Sequence, residues 1–415
     1  MNEIEIPNYF ICPISLQIMK DPVTVVTGIT YDRDSIEHWL FTTRNNTCPV
    51  TKQPLPRDSD LTPNHTLRRL IQAWCTENAS LGVDRIPTPK PSLDRFYVRK
   101  LLKDLEDPQL QMKTLRQLEL FAAENERNRS YMAEAAVPKA MISFIITCFK
   151  EGRVDGLEEA LSILQLIRIS PAETKLIFSD QYNHHIIESL TWVLGCEFRN
   201  HLTIKSHVVL VLKSVVENSK SSFLERLKPE LFEQIMPLMR QDGSVTQEGL
   251  KAALRLLLHV CPWNRNRRKM IENGAVSTLL DLELGQLERR STELVLGILF
   301  HLCSCADGRA QFLAHKGSIA AVKKRIMRVS AVADDRAILI LLLISRFSRT
   351  KIVSEEMLKV GVAAKLCMVL QNDCATYLKD KAMEILRLHS DVWKDSPEID
   401  RNVLTRYIKG NTQSL

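Results

Sequence analysis

The carboxyl-terminal three quarters of this chain repeat with a period of about 44 residues, and this period restricts the fold more than any other feature of the sequence. Each repeat is marked by a glycine or its equivalent, then a small or apolar pair, and then a leucine-rich helix. The mark recurs at Gly274, Gly317 and Gly361 and, less regularly, at Ala135, His184 and Glu230. An ordinary helical bundle has no fixed step, so the sequence predicts stacked copies of one helical unit.

The segments between these marks are helices that are apolar on nearly every side. Examples are ALSILQLIRI, VVLVLKSVVE, LKAALRLLLHV and AILILLLISRF. A helix of this kind is buried between its neighbours. The glycine before the long helix and the boundary sequence NRNRRKMIENGAV resemble armadillo repeats. We therefore predict a mostly α chain in which residues 94–400 form an α-solenoid of about six armadillo repeats.

The inner helices of this solenoid depart from armadillo proteins that grip extended peptides. The resemblance leads us to expect a recurring asparagine there, but the nearest positions hold His259, His301 and Ser345. We expect a substrate to dock as a folded surface instead. The net charge of +7 lies mainly in this region, since residues 1–80 carry about −2. Its densest basic cluster, CPWNRNRRK at 261–269, is either a contact for an acidic partner or lipid or a solvated loop.

Composition narrows the class of protein further. The chain has only 14 Gly and 17 Pro in 415 residues, which favours long helices over many short strands. Its ten cysteines lie mainly in apolar contexts and predict a reducing, cytoplasmic location, with nuclear or peripheral membrane association left open. We expect no signal peptide because the opening is acidic, and no transmembrane segment because no apolar run is long enough. We also expect no nucleic-acid partner.

Residues 5–79 form a separate region of shorter elements. The β-branched run VTVVTGITYD has Gly28 at its turn and predicts a hairpin. One helix is expected after Asp32 as its cap, and a second after Asn64 as its cap. The pattern predicts a compact α+β module.

Two irregular segments flank the predicted solenoid. Residues 80–93 contain three prolines within five positions and predict a semi-extended linker. Residues 401–415 follow the last repeat and are assigned as a carboxyl-terminal tail.

The cysteines of the first module stand where a zinc-binding RING would hold its metal. Candidate ligands are Cys12, His38, Cys48, His65 and Cys75. A RING needs C-x-x-C pairs, because adjacent thiolates complete the tetrahedral site. Here Ser15 and Thr51 replace the second cysteine of each pair, so we predict neither a metal nor another cofactor.

An apolar core and polar contacts must then replace the metal. The expected core residues are Ile36, Trp39, Leu55, Leu61, Leu67 and Ile71. The expected polar contacts come from Ser15, Asp32, Arg33, Thr51 and Asn64, and each contributes about 1 kcal/mol.

Four motifs in this module resemble the U-box, the metal-free relative of the RING. They are FICPISLQIMKDPV, TGITYDRDSIEHWL, CPVTKQPL and LTPNHTLRRLIQAWC. A U-box, a proline-rich linker and armadillo repeats in this order resemble the plant U-box protein family, particularly its shorter members in defence and drought-stress signalling. The resemblance implies a ubiquitin ligase that forms no covalent intermediate with ubiquitin. It works by positioning a conjugating enzyme that carries ubiquitin, while the solenoid recruits the protein substrate.

The resemblance also implies where the conjugating enzyme docks, in a shallow apolar groove formed by two loops and the helix between them. The residues at those positions are Ile14, Leu16, Trp39, Pro49, Val50 and Lys52. Each has an alternative assignment: Ile14 and Trp39 as core residues, and Pro49 as a rigid turn. Lys52 stands where related ligases place a cation that bridges the conjugating enzyme and ubiquitin. The forked guanidinium of arginine suits this bridge better than the lysine ammonium, so the role of Lys52 is left open.

Two threonine-proline pairs, at Thr62 and Thr88, have the minimal form of a site for a proline-directed kinase. A phosphate on Thr62 would add a charge of about −1.5 to −2 near the cap of the second helix. Such a charge could alter conjugating-enzyme docking or pairing of U-boxes into a homo-oligomer. The main alternative to a ligase is a non-catalytic armadillo scaffold with a degenerate U-box.

Overall fold

A computed structural model describes most of the chain, which divides into two compact units, residues 1–140 and 141–415. The described residues are 6–42, 45–55, 61–79, 83, 93, 95–167, 180–198, 200–240 and 245–393. The predicted tail at 401–415, most of the linker at 80–93, and Thr88 lie outside them.

A small antiparallel sheet organises the beginning of the first unit. After a short 3₁₀ turn at Asn8–Phe10, strands β1 (Pro22–Thr24) and β2 (Thr30–Asp32) form a hairpin. Gly28 lies in its turn with φ +81°, which confirms the predicted hairpin. A strand that we did not predict, β3 (Thr62–Pro63), pairs with the other side of β1.

Two helices complete this module. Helix α1 (Arg33–Glu37) continues into a wider π turn at His38–Thr42, and α2 covers His65–Glu77. Asn64 caps α2, because its Oδ1 accepts a hydrogen bond from the Leu67 amide at 3.0 Å. Asp32 occupies the N-cap position of α1 as predicted, but its side chain makes no capping bond and turns instead to an earlier loop.

The core of the module lies between the hairpin, α1 and α2. Of the expected core residues, Ile36, Leu55, Leu61 and Ile71 are buried, whereas Trp39 and Leu67 are only partly buried against them. Buried residues that we did not anticipate include Phe10, Cys12, Met19, Val23, Tyr31 and Cys48.

Three further helices belong to the first unit: α3 (Arg95–Asp104), α4 (Gln111–Glu124) and α5 (Glu126–Glu134). Helix α5 contacts the π turn, and Arg127 Nη1 donates to Glu37 Oε1 at 2.7 Å. The first module is therefore in direct contact with α5. Within the predicted linker, Val83 packs partly against the module's core and Leu93 is buried.

Helices succeed one another through the rest of the described chain. They are α6 (Val137–Glu151), α7 (Leu157–Leu166), α8 (Asp180–Gly195), α9 (His201–Glu217), α10 (Ser221–Leu224), α11 (Pro229–Leu238), α12 (Gln247–Val260), α13 (Asn264–Glu272), α14 (Ala275–Leu284), α15 (Arg289–Cys303), α16 (Ala306–Ala314), α17 (Ser318–Arg325), α18 (Ala331–Phe347), α19 (Lys351–Lys359), α20 (Val362–Gln371), α21 (Thr376–Leu388) and α22 (Ser390–Trp393).

The predicted period corresponds to two shorter helices followed by a longer third helix. Gly274, Gly317 and Gly361 each precede the second helix of a repeat with φ between +75° and +85°, a left-handed conformation that glycine adopts without strain. The third helices α7, α9, α12, α15, α18 and α21 pack against one another in that order. The helices from α7 to α21 thus form an α-solenoid, as predicted.

No single helix among the described residues is both long and apolar enough to cross a membrane. One adjacent pair, Glu126–Glu134 and Val137–Glu151, would pass that test together, but it is bent by 69° at the break.

Candidate functional site

A tight loop follows the first buried cysteine of the module. The Cys12 amide donates to the Gln17 carbonyl at 2.8 Å, and the Leu16 amide donates to the Cys12 carbonyl at 2.9 Å. Closing this loop places Leu16 in the left-handed region, with φ +57°. Its side chain is 76% exposed, although leucine is rarely found in that conformation. We call residues 12–17 the first loop.

A second loop repeats this geometry 36 residues later. The Cys48 amide donates to the Gln53 carbonyl at 2.8 Å, the Lys52 amide donates to the Cys48 carbonyl at 2.9 Å, and Lys52 has φ +60°. We call residues 48–53 the second loop. The sequences CPISLQ and CPVTKQ therefore encode the same backbone twice; we compared their cysteines as ligand pairs but did not predict the shared backbone.

Adjacent residues of β2 hold the two loops. The Asp32 amide donates to Cys12 Sγ at 3.3 Å, and the Tyr31 hydroxyl lies 3.0 Å from Cys48 Sγ. The Val50 amide donates to the same hydroxyl at 3.2 Å. Because neighbouring positions of one strand bind both loops, the loops are fixed relative to each other.

The thiols act as hydrogen-bond acceptors in this arrangement. Burial raises the pKa of Cys48, but hydrogen bonds from Thr27, Thr51 and Tyr31 outweigh burial and lower it to about 6. Burial likewise opposes, without cancelling, the lowering of the Cys12 pKa by hydrogen bonds that include those from Ser15. Each sulfur accepts hydrogen bonds from the residues that follow it, so each cysteine organises its own loop.

Asp32 joins the hairpin to the segment before it. Its Oδ1 accepts from the amides of Lys20 and Asp21 at 2.7 and 2.9 Å. Asp21 in turn binds Arg33 Nε at 2.5 Å. The polar contacts expected from Ser15, Asp32, Arg33, Thr51 and Asn64 are thus present, although Asp32 contributes through a different partner. No group of three or more His, Cys, Asp or Glu side chains in the described part of the chain could hold a metal ion.

The predicted docking residues lie on and beside the two loops. Leu16 and Val50 are the exposed apolar side chains, at 76% and 51%, while Ile14 is partly buried against the core. Trp39 is also partly buried and reaches toward the second loop, where its Nε1 donates to the Thr47 carbonyl at 2.8 Å. Pro49 is partly exposed, and Lys52 is exposed at the end of the second loop.

Thr62, the candidate site for a proline-directed kinase, pairs with the last residue of β1. It is exposed on β3 opposite Thr24, two residues before the Asn64 cap of α2.

Comparisons with known proteins agree with this architecture. Residues 6–80 match the U-box domain model, and residues 97–409 match the model of the plant U-box protein ARM repeat region. The chain belongs to the plant U-box protein family. It is 44% identical to E3 ubiquitin-protein ligase PUB23 of Arabidopsis thaliana, and the alignment covers 98% of each chain. It is 45% identical to PUB24 of the same plant, over 98% of this chain and 97% of the relative.

This plant U-box protein is a ubiquitin ligase with armadillo repeats, since relatives aligned over nearly its whole length carry that designation. A solved structure from a study of the interaction between cadherin and β-catenin aligns at a TM-score of 0.56 with 12% identity. That alignment covers 79% of this chain and 58% of the other, and it shows the fold alone. The alternative of a non-catalytic scaffold is not favoured.

Proposed function

We propose that the two loops and the partly buried Trp39 form the surface on which this ligase docks a ubiquitin-conjugating enzyme. The observation that carries the proposal is the pair of matched loops, which present Leu16 and Val50 to solvent on a rigid backbone. An exposed leucine held at positive φ gains nothing for folding, so its place favours a role in binding. Ile14, which is partly buried against the core, and Pro49, which is partly exposed, belong to the same proposed surface.

A rigid docking surface suits the chemistry of this class of ligase. The conjugating enzyme supplies the ubiquitin thioester, and the ligase holds that thioester in a reactive geometry without forming a bond to ubiquitin. Lys52 would add a positive charge at the rim of the surface, where it could contact ubiquitin. If it does, Lys52→Arg will retain chain formation and Lys52→Ala will lower it.

Leu16→Ala tests the docking surface. Because Leu16 is exposed, its loss should leave the folded state intact while lowering the rate of ubiquitin chain formation by about tenfold or more. Purified activating and conjugating enzymes and the full chain are sufficient for the assay. Val26→Ala is the matched control, since Val26 is also apolar, 64% exposed and in the U-box. Equal rates for the Leu16 variant and wild type would contradict the proposal.

We further propose that a proline-directed kinase acts on Thr62. The exposed threonine precedes Pro63 and lies beside the amino-terminal end of α2. A phosphate there would change the charge near the module's sheet and alter conjugating-enzyme docking or self-association of U-boxes. If Thr62→Glu forms chains at the wild-type rate and sediments as wild type does, this proposal is wrong.

The setting in the cell is also a proposal. Likeness to the shorter plant U-box proteins supports a regulator of defence or abiotic-stress signalling. All ten cysteines are free thiols, seven of them buried, which suits the reducing cytoplasm. A fluorescently labelled full chain expressed in leaf cells would test the location, and a knockout line with unaltered defence and drought responses would count against the role.

A further inference from the structure

Three successive third helices enclose a small basic pocket on the solenoid. The pocket has a volume of about 230 Å³ and is lined by residues of α12, α15 and α18. Its charged lining consists of Arg255, Arg290, Glu293 and Arg336. Each arginine lies on a different one of these helices, so the stacking of the repeats brings the three side chains together.

The single acidic residue of this pocket already has partners. Glu293 Oε1 accepts from the Ser330 hydroxyl at 2.6 Å and lies 3.4 Å from Arg289 Nε. By contrast, Arg255 and Arg290 form no ion pair in the part of the chain that the structure describes. Two of the three arginines therefore lack an ion-pair partner among the described residues, and the lining of three arginines and one glutamate has a net charge of +2.

The third arginine is held in place by an aromatic ring. The guanidinium of Arg336 lies 5.2 Å from the centre of the Phe300 ring, a cation–π contact that limits its freedom. Asp335 is 3.7 Å from Arg336 but also accepts the Tyr377 hydroxyl at 2.6 Å. Arg336 is thus positioned before any ligand arrives, which lowers the entropy cost of binding.

A glycine forms part of the pocket wall. Gly297 lies in the middle of α15, where glycine costs about 1 kcal/mol relative to alanine. A Cβ atom at this position would come within 3.2 Å of Leu258 Cδ1, which also lines the pocket. The missing side chain therefore lets Leu258 pack closely against α15 at the wall of the hollow.

A histidine adds an uncharged polar group to the wall. Burial and the charges of Arg267 and Arg336 lower the pKa of His301, so its imidazole is neutral near pH 7. A neutral imidazole can still donate one hydrogen bond.

We propose that this pocket binds the phosphate group of a phosphorylated serine or threonine carried by the substrate. The paired N–H donors of arginine match the geometry of phosphate. Three arginines around one hollow bind a doubly charged phosphate more favourably than they bind a singly charged carboxylate. A recess between helices admits one side chain and suits a flat membrane surface poorly. The inference rests on the expectation, implied by the family resemblance, that the solenoid recruits the substrate, and it names the chemical group that is recognised.

Binding of peptide mixtures tests the inference without any ubiquitin chemistry. The probes are three fluorescent mixtures of degenerate peptides with phosphothreonine, threonine or glutamate at the centre. We expect the full-length chain to bind the phosphothreonine mixture at least about tenfold more tightly than either of the others, a difference of about 1.4 kcal/mol. Equal binding of the phosphothreonine and glutamate mixtures would overturn the inference.

Substitutions locate the binding. Arg255→Gln and Arg336→Gln should each weaken phosphopeptide binding by about fivefold or more, because each removes a charge-assisted hydrogen bond. Gly297→Ala, which adds one methyl group at the pocket wall without changing the charge, should also weaken binding. Arg328→Gln is the matched control, because Arg328 is an exposed arginine outside the pocket lining. If Arg328→Gln and Arg255→Gln weaken binding equally, the effect is one of net charge and the pocket is not the site.

Two further measurements distinguish phosphopeptide binding in the pocket from a membrane contact and from the docking of a conjugating enzyme. Vesicles containing anionic lipid should not compete with the phosphopeptide, and competition that depends on Arg255 would overturn the inference in favour of a membrane contact. Ubiquitin chain formation by the same wild-type preparation, measured without peptide, reports on the proposed U-box function alone. Chains without phosphopeptide selectivity would refute the pocket only, and selectivity without chains would refute the docking proposal only.

Discussion

The U-box and the solenoid are stabilised by different kinds of contact. In the U-box, polar side chains join segments that are far apart in sequence: Tyr31 binds the second loop, and Asp32 binds the segment before the hairpin. Each such residue serves two elements at once. In so small a module, a single lost contact therefore affects the whole fold.

Both regions have apolar cores, but in the solenoid the apolar contacts join neighbouring repeats and the polar links follow the repeat period. Asn266 Nδ2 donates to the Leu224 carbonyl at 2.9 Å, and Gln311 Nε2 donates to the Ile271 carbonyl at 3.1 Å. These partners are 42 and 40 residues apart, which is about one repeat. Because each repeat contacts only its neighbours, damage in the solenoid should stay local.

The largest expected effect is a cavity in the solenoid. Phe232 is completely buried in α11, and Phe232→Ala should lower the free energy of local unfolding by about 3–5 kcal/mol. Hydrogen exchange should show the loss in α11 and adjoining helices, while amides of the U-box keep their protection. Phe232→Leu should have a smaller effect. An equal loss of protection in the U-box would show that damage in the solenoid does not stay local.

A buried histidine should make the last repeat sensitive to acid. His389 lies between the hydroxyls of Ser345 and Ser354 at 2.9 and 2.8 Å and stacks on Trp393. Burial, together with Arg349, lowers its pKa from 6.5 to about 4. The unfolded chain binds a proton below pH 6.5 and the folded chain does not, so stability falls as the pH drops from 6.5 to 4, by about 3 kcal/mol in total.

His389→Gln removes this titrating group. The difference in unfolding free energy between wild type and the variant should shrink as the pH falls from 7 to 4.5, because only the wild type loses the histidine contribution. Chemical denaturation at several pH values measures that difference. A difference that stays constant over this range would show that His389 titrates normally in the folded protein.

In the U-box, loss of one hydroxyl should have a smaller effect that reaches further. Tyr31→Phe leaves Cys48 Sγ without one donor and the Val50 amide without its acceptor. We expect a loss of about 1–2 kcal/mol in U-box stability and slower ubiquitin chain formation, because the second loop is released. Tyr9→Phe is the control, since Tyr9 is 63% exposed. If the Tyr31 variant forms ubiquitin chains at the wild-type rate, the geometry of the second loop does not control activity.

The smallest effect is expected where the U-box contacts α5. Arg127→Gln removes the 2.7 Å bond to Glu37, which still lies 3.6 Å from Arg33. The expected loss is about 1 kcal/mol, seen as faster hydrogen exchange in the π turn of the U-box. Arg129→Gln, on the same helix but paired with Glu126, should leave that exchange unchanged. Identical exchange in the two variants would mean that the Glu37 contact contributes little.

The sequence alone determined the elements that depend on local periodicity. The glycine marks and apolar helices predicted the solenoid, because a repeated pattern can bury its apolar faces only by stacking. The hairpin at Gly28 and the cap at Asn64 were also predictable, since each depends on residues within a few positions of the chain.

Only the tertiary structure decided the contacts between distant residues. Asp32 looked like a helix cap because local rules apply to every aspartate before a helix, yet the amides of Lys20 and Asp21 compete successfully for its carboxylate. The short strand β3 likewise forms because β1 offers it a partner about forty residues away. The arginines of the basic pocket share no local motif. Their proximity follows from the packing of α12, α15 and α18, which a linear pattern does not encode.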